Sequence, residues 1–239
     1  SESLLIMSEV PGTELLRVLI GSQAHGTATE DSDVDQRVVF ALPTSQLLRI
    51  TDRGKSTVWN EAKETGGDND LTGWELGHYA HLALNCNPTI LEVLWAPEVS
   101  STLWGGALRD IRSHFLSKQR VYAAFRGYAS NQAKKMLWEP GAGQWTVRNW
   151  KFAEAYIRVL YQGCELLETG DLPVCLTTHI DVISFLKRTK MGETTKGETI
   201  DMADLLERRL MKAWIHSDMQ KEANVSIVNE FILDFRKQN

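Results

Sequence analysis

The chain has 239 residues, 43% of them hydrophobic and 24% charged, and its formal net charge is −5. This composition is typical of a globular protein with one or two domains. No stretch approaches the roughly 20 apolar residues that cross a bilayer, and residues 1–7 lack the basic start of a signal peptide, so we expect no membrane partner. Three widely spaced cysteines without a Cys-x-x-Cys pair favour a reduced, cytoplasmic setting over a zinc site or a disulfide framework.

The first predicted elements surround a Gly-Ser turn. Residues 15–20 are apolar and predict a strand, residues 22–28 predict a short helix, and residues 34–42, rich in Val and Phe, predict a second strand. Gly21 and Ser22 then lie at the start of the helix, where backbone N–H groups can hold phosphate oxygens. The hydroxyl of Ser22 can bind a phosphate, cap the helix, or do both.

Two aspartates mark the beginning of the second predicted strand. Alternate residues of a strand point to the same face, so Asp33 and Asp35 are expected to project together. Their Cα atoms would lie roughly 6–7 Å apart, a separation that suits a pair of divalent ions about 3.5–4 Å apart. A Ser-Asp turn followed by a solvated strand end is the alternative interpretation. Arg37 is expected on the same face, where it either orients the two carboxylates or neutralises them.

The next segment mixes loop and helix signals. Residues 66–70 predict a loop that leads into a strand or a helix, and residues 74–84 have helical apolar spacing. Asn87 is a favourable N-cap, and Pro88 suits the first position of a helix that we expect to continue through Trp95.

The second half of the chain has mainly helical patterns. Residues 150–167 carry an apolar stripe at steps of three and four, which predicts an amphipathic helix ending at Gly170. Residues 201–214 and 223–235 predict two further amphipathic helices. The polar residues 190–198 predict a mobile loop. The sequence thus predicts a small domain of strands and helices over residues 1–105, followed by a helical domain over residues 106–239.

Charge is distributed unevenly between these parts. Residues 1–110 have a net charge of −9, whereas residues 111–160 have a net charge of +7. An acidic part that binds cations beside a basic part that binds phosphates explains this asymmetry, and an exposed basic helical face is the alternative. Lys151 and Arg158 would lie about 10 Å apart along one helix face. They can reach a triphosphate, or they can be exposed charges paired with Glu154.

Ring side chains carry weaker signals. Most of the eight tryptophans have the spacing of core residues. Trp138, Trp145 and Trp150 flank the basic segment, and they are the ones we would test as platforms for nucleobases. We expect His25 to be packed or hydrogen-bonded within the fold rather than to act as a ligand.

The segments GSQAHG (residues 21–26) and SDVDQRVVF (residues 32–40) resemble the signature of polymerase-beta-type nucleotidyltransferases. More narrowly, they are similar to the predicted nucleotidyltransferases that include an RNA-repair-associated (RNA-ligase-associated) polymerase. Further segments resemble the later landmarks of that family: DLTGWEL (residues 70–76), NPTILE (residues 87–92), FRGYA (residues 125–129) and ELLETG (residues 165–170). The resemblance implies an α+β fold with a small mixed-sheet catalytic domain and a following helical domain.

The resemblance also implies roles for individual residues. Two Mg²⁺ or Mn²⁺ ions would be held by Asp33, Asp35 and a third carboxylate, which is Asp70 or its neighbour Asp68; either of the last two can instead cap a helix. Together with the strand and helix spacing described above, it leads us to predict that the nucleotide is bound by Gly21, Ser22, Arg37, Lys151 and Arg158. The family commonly has a basic residue where this chain has Gln23. That difference increases the importance of Lys151 and Arg158 as phosphate ligands.

The implied reaction is the transfer of a nucleoside monophosphate (NMP) from a nucleoside triphosphate (NTP) to an acceptor hydroxyl, with release of pyrophosphate. The leading acceptor is an RNA 3′ end, tRNA-like in character, bound near residues 111–160. A protein side chain or a small molecule is the competing acceptor. A regulator of antitoxin type, which binds a nucleotide or a partner without turnover, is the alternative outside the enzyme class.

Overall fold

The computed structural model describes residues 10–30, 32–50, 58–60, 71–138 and 144–239, and all structural statements refer to these residues. They contain one mixed sheet with the strand order β3-β4-β2-β1-β5. Strand β2 pairs antiparallel with β1 and parallel with β4, while β3 and β5 form the two edges. The strands are β1 (Thr13–Ile20), β2 (Asp35–Ala41), β3 (Val58–Asn60), β4 (Leu71–Glu75) and β5 (Glu98–Ser101).

Helices dominate the rest of the described chain. Two 3-10 turns, Glu92–Leu94 and Arg112–Phe115, supplement the α-helices. The α-helices are α1 (Gly21–His25), α2 (Thr44–Leu47), α3 (Leu76–Ala83), α4 (Pro88–Leu91), α5 (Leu103–Asp110), α6 (Lys118–Leu137), α7 (Val147–Thr169), α8 (Ile180–Lys190), α9 (Lys196–His216) and α10 (Val225–Gln238). Of the helices described, none has an apolar stretch long enough to span a bilayer. The expected α+β fold, with a sheet in the N-terminal part and helices in the C-terminal part, is confirmed.

The long helices begin and end at residues with clear capping signals. Thr146 and Asn149 form a reciprocal capping box at the start of α7, and Gly170 ends the helix with a left-handed φ of 77°. Thr195 and Glu198 form the same arrangement at the start of α9. Each such cap stabilises a helix by about 1 kcal/mol. The predicted end of the central helix at Gly170 is therefore confirmed.

The sheet separates two hydrophobic clusters, and β2 contributes to both. Val39 points into the large cluster that continues through the helices, while Val38 and Phe40 point to the opposite face with Trp59 and Leu71. The large cluster extends without interruption from strand residues to buried residues of α7, α9 and α10. The division of the chain near residue 105 remains a prediction.

The C-terminal helix α10 returns to the sheet domain. The ring of Trp104 makes edge contacts with Phe231 and Phe235, with centroids 5.7 and 5.2 Å apart. Arg236 donates to the carbonyl oxygen of Leu42 at 2.6 Å and forms an ion pair with Glu75. The end of the described chain is thus fixed to the sheet.

Two local predictions need correction. Residues 71–75 form strand β4, the strand alternative for the segment after residues 66–70, but the helix predicted from Trp74 begins at Leu76, because parallel pairing with β2 keeps this segment extended. Helix α8 was not predicted. It ends at Lys190, so the connection to α9 has only five residues, and Thr194 within it is buried and bonded to Thr199 at 3.3 Å.

The expected cap at Asn87 is confirmed, since its side chain accepts from the backbone N–H of Thr89 at 3.0 Å.

Candidate functional site

The register of the first two strands brings the Gly-Ser turn against an aspartate. Ile20, the last residue of β1, is the partner of Asp35, the first residue of β2. Gly21 follows with φ of +68°, and a Cβ atom placed on it would overlap Oδ2 of Asp35. Only glycine meets both conditions, because other residues adopt this backbone region at a cost and carry a Cβ. The turn therefore lies in direct contact with the Asp35 carboxylate.

A pocket of about 370 Å³ opens at this turn, between the sheet domain and the helices. It brings together six of the eight site residues predicted from the sequence. Its lining consists of Gly21, Ser22, His25, Thr27, Thr29, Ser32, Asp33, Asp35, Lys151, Glu154, Arg158 and Lys190.

One wall of the pocket is acidic and comes from the sheet domain. Asp35 starts β2, but Asp33 lies in the segment before the strand, so the expectation that both belong to one strand was wrong. This segment is held in place by local bonds: the backbone N–H of Thr29 donates to Oγ of Ser32 at 2.8 Å, and Gln23 donates to the carbonyl oxygen of Ser32 at 3.4 Å. The loop, rather than strand alternation, directs Asp33 to the pocket.

Another wall of the pocket is mainly basic and comes from α7 and α8. Arg158 forms an ion pair with Glu154, which lies one turn earlier on α7, at 3.3 Å. Of the two alternatives given above for Arg158, the structure therefore contains the ion pair with Glu154. Lys151 is exposed and forms no ion pair with a carboxylate in the described part of the chain. Lys190 donates from Nζ to the carbonyl oxygen of Thr27 at 2.8 Å, which joins the end of α8 to the loop after α1.

The floor of the pocket contains a buried imidazole. His25 is buried, and its Nε2 lies 3.2 Å from Oε2 of Glu92. Burial lowers the pKa of His25, and the nearby Arg158 guanidinium lowers it further, although Glu92 acts in the opposite direction. The imidazole is buried and hydrogen-bonded within the fold, and its lowered pKa favours the neutral form.

The donor set of the acidic wall suits a hard cation. Carboxylate and hydroxyl oxygens from Asp33, Asp35 and Ser22 are the ligand type that Mg²⁺ prefers. Within the described ranges, no group of three or more His, Cys, Asp or Glu side chains is placed to hold a metal ion. Asp70 and Asp68 lie outside those ranges. Leu71, which directly follows Asp70 in the chain, is the partner of Gln36, the neighbour of Asp35.

One predicted nucleotide ligand is not brought to this pocket. Arg37 is absent from the lining, and its guanidinium donates to the carbonyl oxygen of Gln36 at 3.0 Å. Conversely, Thr27, Thr29 and Lys190 line the pocket although sequence reasoning did not select them. Nothing in the local sequence around Lys190 indicates this position, since it depends on how α8 packs against α7.

Replacing Gly21 with alanine is expected to lower any activity of this pocket about 100-fold, because the new Cβ displaces the Asp35 carboxylate. The left-handed conformation adds roughly 1–2 kcal/mol of destabilisation. Turnover and thermal unfolding would be measured on the same preparation. Gly127→Ala is a matched control, since a Cβ at Gly127 has no atom within 4 Å. Unchanged turnover in Gly21→Ala would contradict the proposed importance of this contact.

Two comparisons with known proteins bear on this pocket. The sequence matches the family described as the RNA repair pathway DNA polymerase beta family over residues 6–234. It is also similar to an uncharacterised 38.9 kDa protein from the nrdC-mobD intergenic region of Enterobacteria phage T4, with 28% identity over 130 residues. That alignment covers 51% of this chain and 38% of the phage protein, so the chain spans well under half of that relative's length.

Proposed function

The chain belongs to the RNA repair pathway DNA polymerase beta family, and on this premise we propose that it transfers NMP from an NTP to the hydroxyl of an RNA 3′ end. In this reaction the hydroxyl oxygen forms a bond to the α-phosphorus, and the bond between the α-phosphorus and the bridging oxygen of the β-phosphate breaks. The hydroxyl proton passes to solvent, and pyrophosphate leaves.

The single observation that carries the proposal is one pocket that has both an acidic and a basic wall. Asp33 and Asp35 line the acidic wall, and Lys151, Arg158 and Lys190 line the basic wall. A triphosphate needs cations along its length, and a reacting α-phosphate needs divalent metal ions held by carboxylates. Residues suited to both requirements line this one pocket of about 370 Å³.

We assign the acidic wall to two Mg²⁺ or Mn²⁺ ions. Asp33 and Asp35 would bind them, with Asp70 as the third carboxylate because it directly precedes β4, which pairs with β2 beside Asp35. When bound, the ions would lower the pKa of the acceptor hydroxyl and neutralise charge on the triphosphate. Gly21 keeps the Asp35 carboxylate against the turn, and Ser22 donates its hydroxyl to a phosphate oxygen.

We assign the basic wall to the β- and γ-phosphates. Lys151 offers an exposed ammonium group, and Arg158, although paired with Glu154, retains guanidinium donors. Partial burial, together with Lys151 and Arg158, lowers the pKa of Lys190, while Glu154 raises it. A bound triphosphate would stabilise the charged form of this lysine.

The proposed acceptor is an RNA 3′ end. Two observations support RNA over a protein side chain or a small molecule: the family description refers to RNA repair, and residues 111–160 carry a net charge of +7. Phosphate backbones bind such a segment through release of counterions.

The test is label transfer from each of the four α-labelled NTPs in Mg²⁺, with small RNA, single-stranded DNA and cell protein as acceptors. Label in the RNA fraction that EDTA abolishes is the expected result. Label confined to protein would refute the RNA acceptor. Tight NTP binding without transfer to any acceptor would refute turnover and favour a nucleotide-binding regulator.

Lys190→Met is expected to weaken NTP binding about 10- to 100-fold, since a hydrogen bond to a charged group contributes roughly 1.5–3 kcal/mol. Binding of the corresponding NMP should change little, because Lys190 is assigned to the outer phosphates. Calorimetry or equilibrium dialysis without acceptor measures both affinities. Lys187→Met, an exposed position on the same helix, is the control. Equal losses for NTP and NMP would contradict the assignment.

A further inference from the structure

The structure places seven of the nine cations of residues 111–160 in two parts with different roles. In the first part three charges bind the fold itself. Lys118 donates to the carbonyl oxygen of Ser217 at 2.8 Å, Arg120 donates to that of Leu84 at 2.8 Å, and Arg112 lies 3.9 Å from Asp171. These cations are occupied by internal partners, so they contribute little to a docking surface.

In the second part the cations face solvent. Lys134 and Lys135 end α6, and Arg148 and Lys151 lie in the first turns of α7; all four are exposed. None of them forms an ion pair with a carboxylate of the described ranges, and residues 118–138 and 144–152 contain no Asp or Glu. Positive charge is therefore concentrated in this part of the described surface.

Aromatic side chains lie among these cations. The Phe152 ring has Lys135 Nζ at 5.4 Å from its centroid and Arg148 Cζ at 5.6 Å, so it holds the two charges on one surface. Trp145 and Trp150 pack against each other with centroids 4.6 Å apart. Trp138 is different, because it is 69% exposed.

The position of Trp138 is nevertheless fixed. Asn149, which caps α7, donates from Nδ2 to the carbonyl oxygen of Trp138 at 3.0 Å and to that of Met136 at 2.9 Å. An exposed indole on an anchored backbone has no role in the core. We name the group formed by Lys134, Lys135, Trp138, Arg148 and Phe152 the α6–α7 surface.

The α6–α7 surface adjoins the pocket through Lys151. This residue lines the pocket, and it lies three residues, about one turn, after Arg148 on α7. An acceptor strand that lies on the surface can therefore direct its terminal hydroxyl toward the pocket.

We propose that the α6–α7 surface binds the single-stranded 3′ end of a polynucleotide acceptor, with phosphates against Lys134, Lys135 and Arg148 and a base stacked on Trp138. The proposal rests on the proposed function, of which it specifies the acceptor path. Surfaces that bind single strands combine a basic track with aromatic platforms, and stacking of one base on an aromatic side chain contributes about 1–3 kcal/mol.

The test is fluorescence anisotropy with a labelled single-stranded RNA, the same sequence as DNA, and the RNA in a blunt duplex. Trp138→Ala is expected to weaken single-strand binding roughly 5- to 100-fold, and Trp138→Phe to retain most of it. Lys134→Gln with Lys135→Gln is expected to weaken binding and to reduce the magnitude of the salt slope by about 1.4, since each phosphate contact with a single strand contributes about 0.7. Lys187→Gln with Lys212→Gln, exposed lysines of α8 and α9, is the charge-matched control.

Several outcomes would overturn the inference: no single-strand binding by the wild-type protein, equal binding of the duplex, or equal losses in the control. Equal binding of single-stranded RNA and DNA would support recognition of phosphates and bases. A preference for RNA would also support the inference, and it would indicate an additional contact to the 2′-hydroxyl. NTP affinity is measured in parallel and should not change. If the variants lose strand binding but no preparation transfers NMP, the surface stands and the proposed reaction fails.

Discussion

The Asp35→Asn variant is expected to lose at least about 1,000-fold in NMP transfer, equivalent to roughly 4 kcal/mol of activation free energy. The substitution removes one negative charge without changing the side-chain volume. Asp35 contacts the Gly21 turn and lines the pocket with Asp33, so the lost charge lies where the proposed metal ions would be bound. Pre-steady-state label transfer at saturating NTP and Mg²⁺ measures the effect on the chemical step.

The fold should be unaffected, because an amide fills the same space next to Gly21. Thermal unfolding and far-UV circular dichroism check this point. Asp201→Asn, at an exposed position on α9, is the matched control and should keep full turnover. A loss that is smaller than tenfold, or that Asp201→Asn shares, would remove Asp35 from the proposed chemistry.

The Arg236→Met variant is expected to lower the free energy of unfolding by about 3–5 kcal/mol, the range for removing one partner of a buried ion pair. Glu75 is only 3% exposed, and its carboxylate would be left without its cation. Arg236 also donates to the carbonyl oxygen of Leu42, so the contact between α10 and the sheet is lost. Chemical denaturation with a two-state fit measures the change.

Two further variants test whether the loss of stability comes from the Arg236–Glu75 pair. Lys237→Met removes the exposed neighbour that pairs with Asp234, and it should cost under about 1 kcal/mol. Glu75→Gln combined with Arg236→Met should be less destabilising than Arg236→Met alone, because no buried charge remains unpaired. If Arg236→Met and Lys237→Met behave alike, the Arg236–Glu75 pair does not hold α10 in place.

Local signals allowed much of the fold to be predicted. A Gly-Ser turn after an apolar run, an Asn-Pro helix start, and a glycine after a long amphipathic stripe depend on a few adjacent residues. The structure has β1 before Gly21, the cap at Asn87 and the helix end at Gly170. These features follow from backbone conformation and capping, which adjacent residues determine.

Features that depend on distant partners were not predictable. Residues 71–75 are a strand because they pair in parallel with β2, which overrides the helical spacing that starts at Trp74. Lys190 reaches the pocket because α8 packs along α7, and its bond to Thr27 joins residues 163 positions apart. The sequence before β4 left a strand and a helix as alternatives, and the sequence around Lys190 contains no signal for its position.

The candidate site likewise combines residues that a local motif predicts with geometry that depends on the fold. Gly21, Ser22, Asp33 and Asp35 were selected from a short motif, and the structure brings them together in one pocket. Asp33 reaches that pocket from a loop rather than from a strand, so the strand geometry expected for it was wrong. Their catalytic roles, and those of Asp70, Lys151 and Arg158, remain predictions.

The position of the transferred label shows whether the protein transfers NMP to an RNA 3′ end. The protein is incubated with an RNA acceptor, Mg²⁺ and NTP labelled at either the α- or the γ-phosphate, and RNA and released phosphates are separated. If the protein transfers NMP, α-label appears on the RNA 3′ end, while γ-label is recovered as pyrophosphate. Transfer of γ-label to the acceptor, or recovery of γ-label as inorganic phosphate without α-label on the RNA, would contradict it.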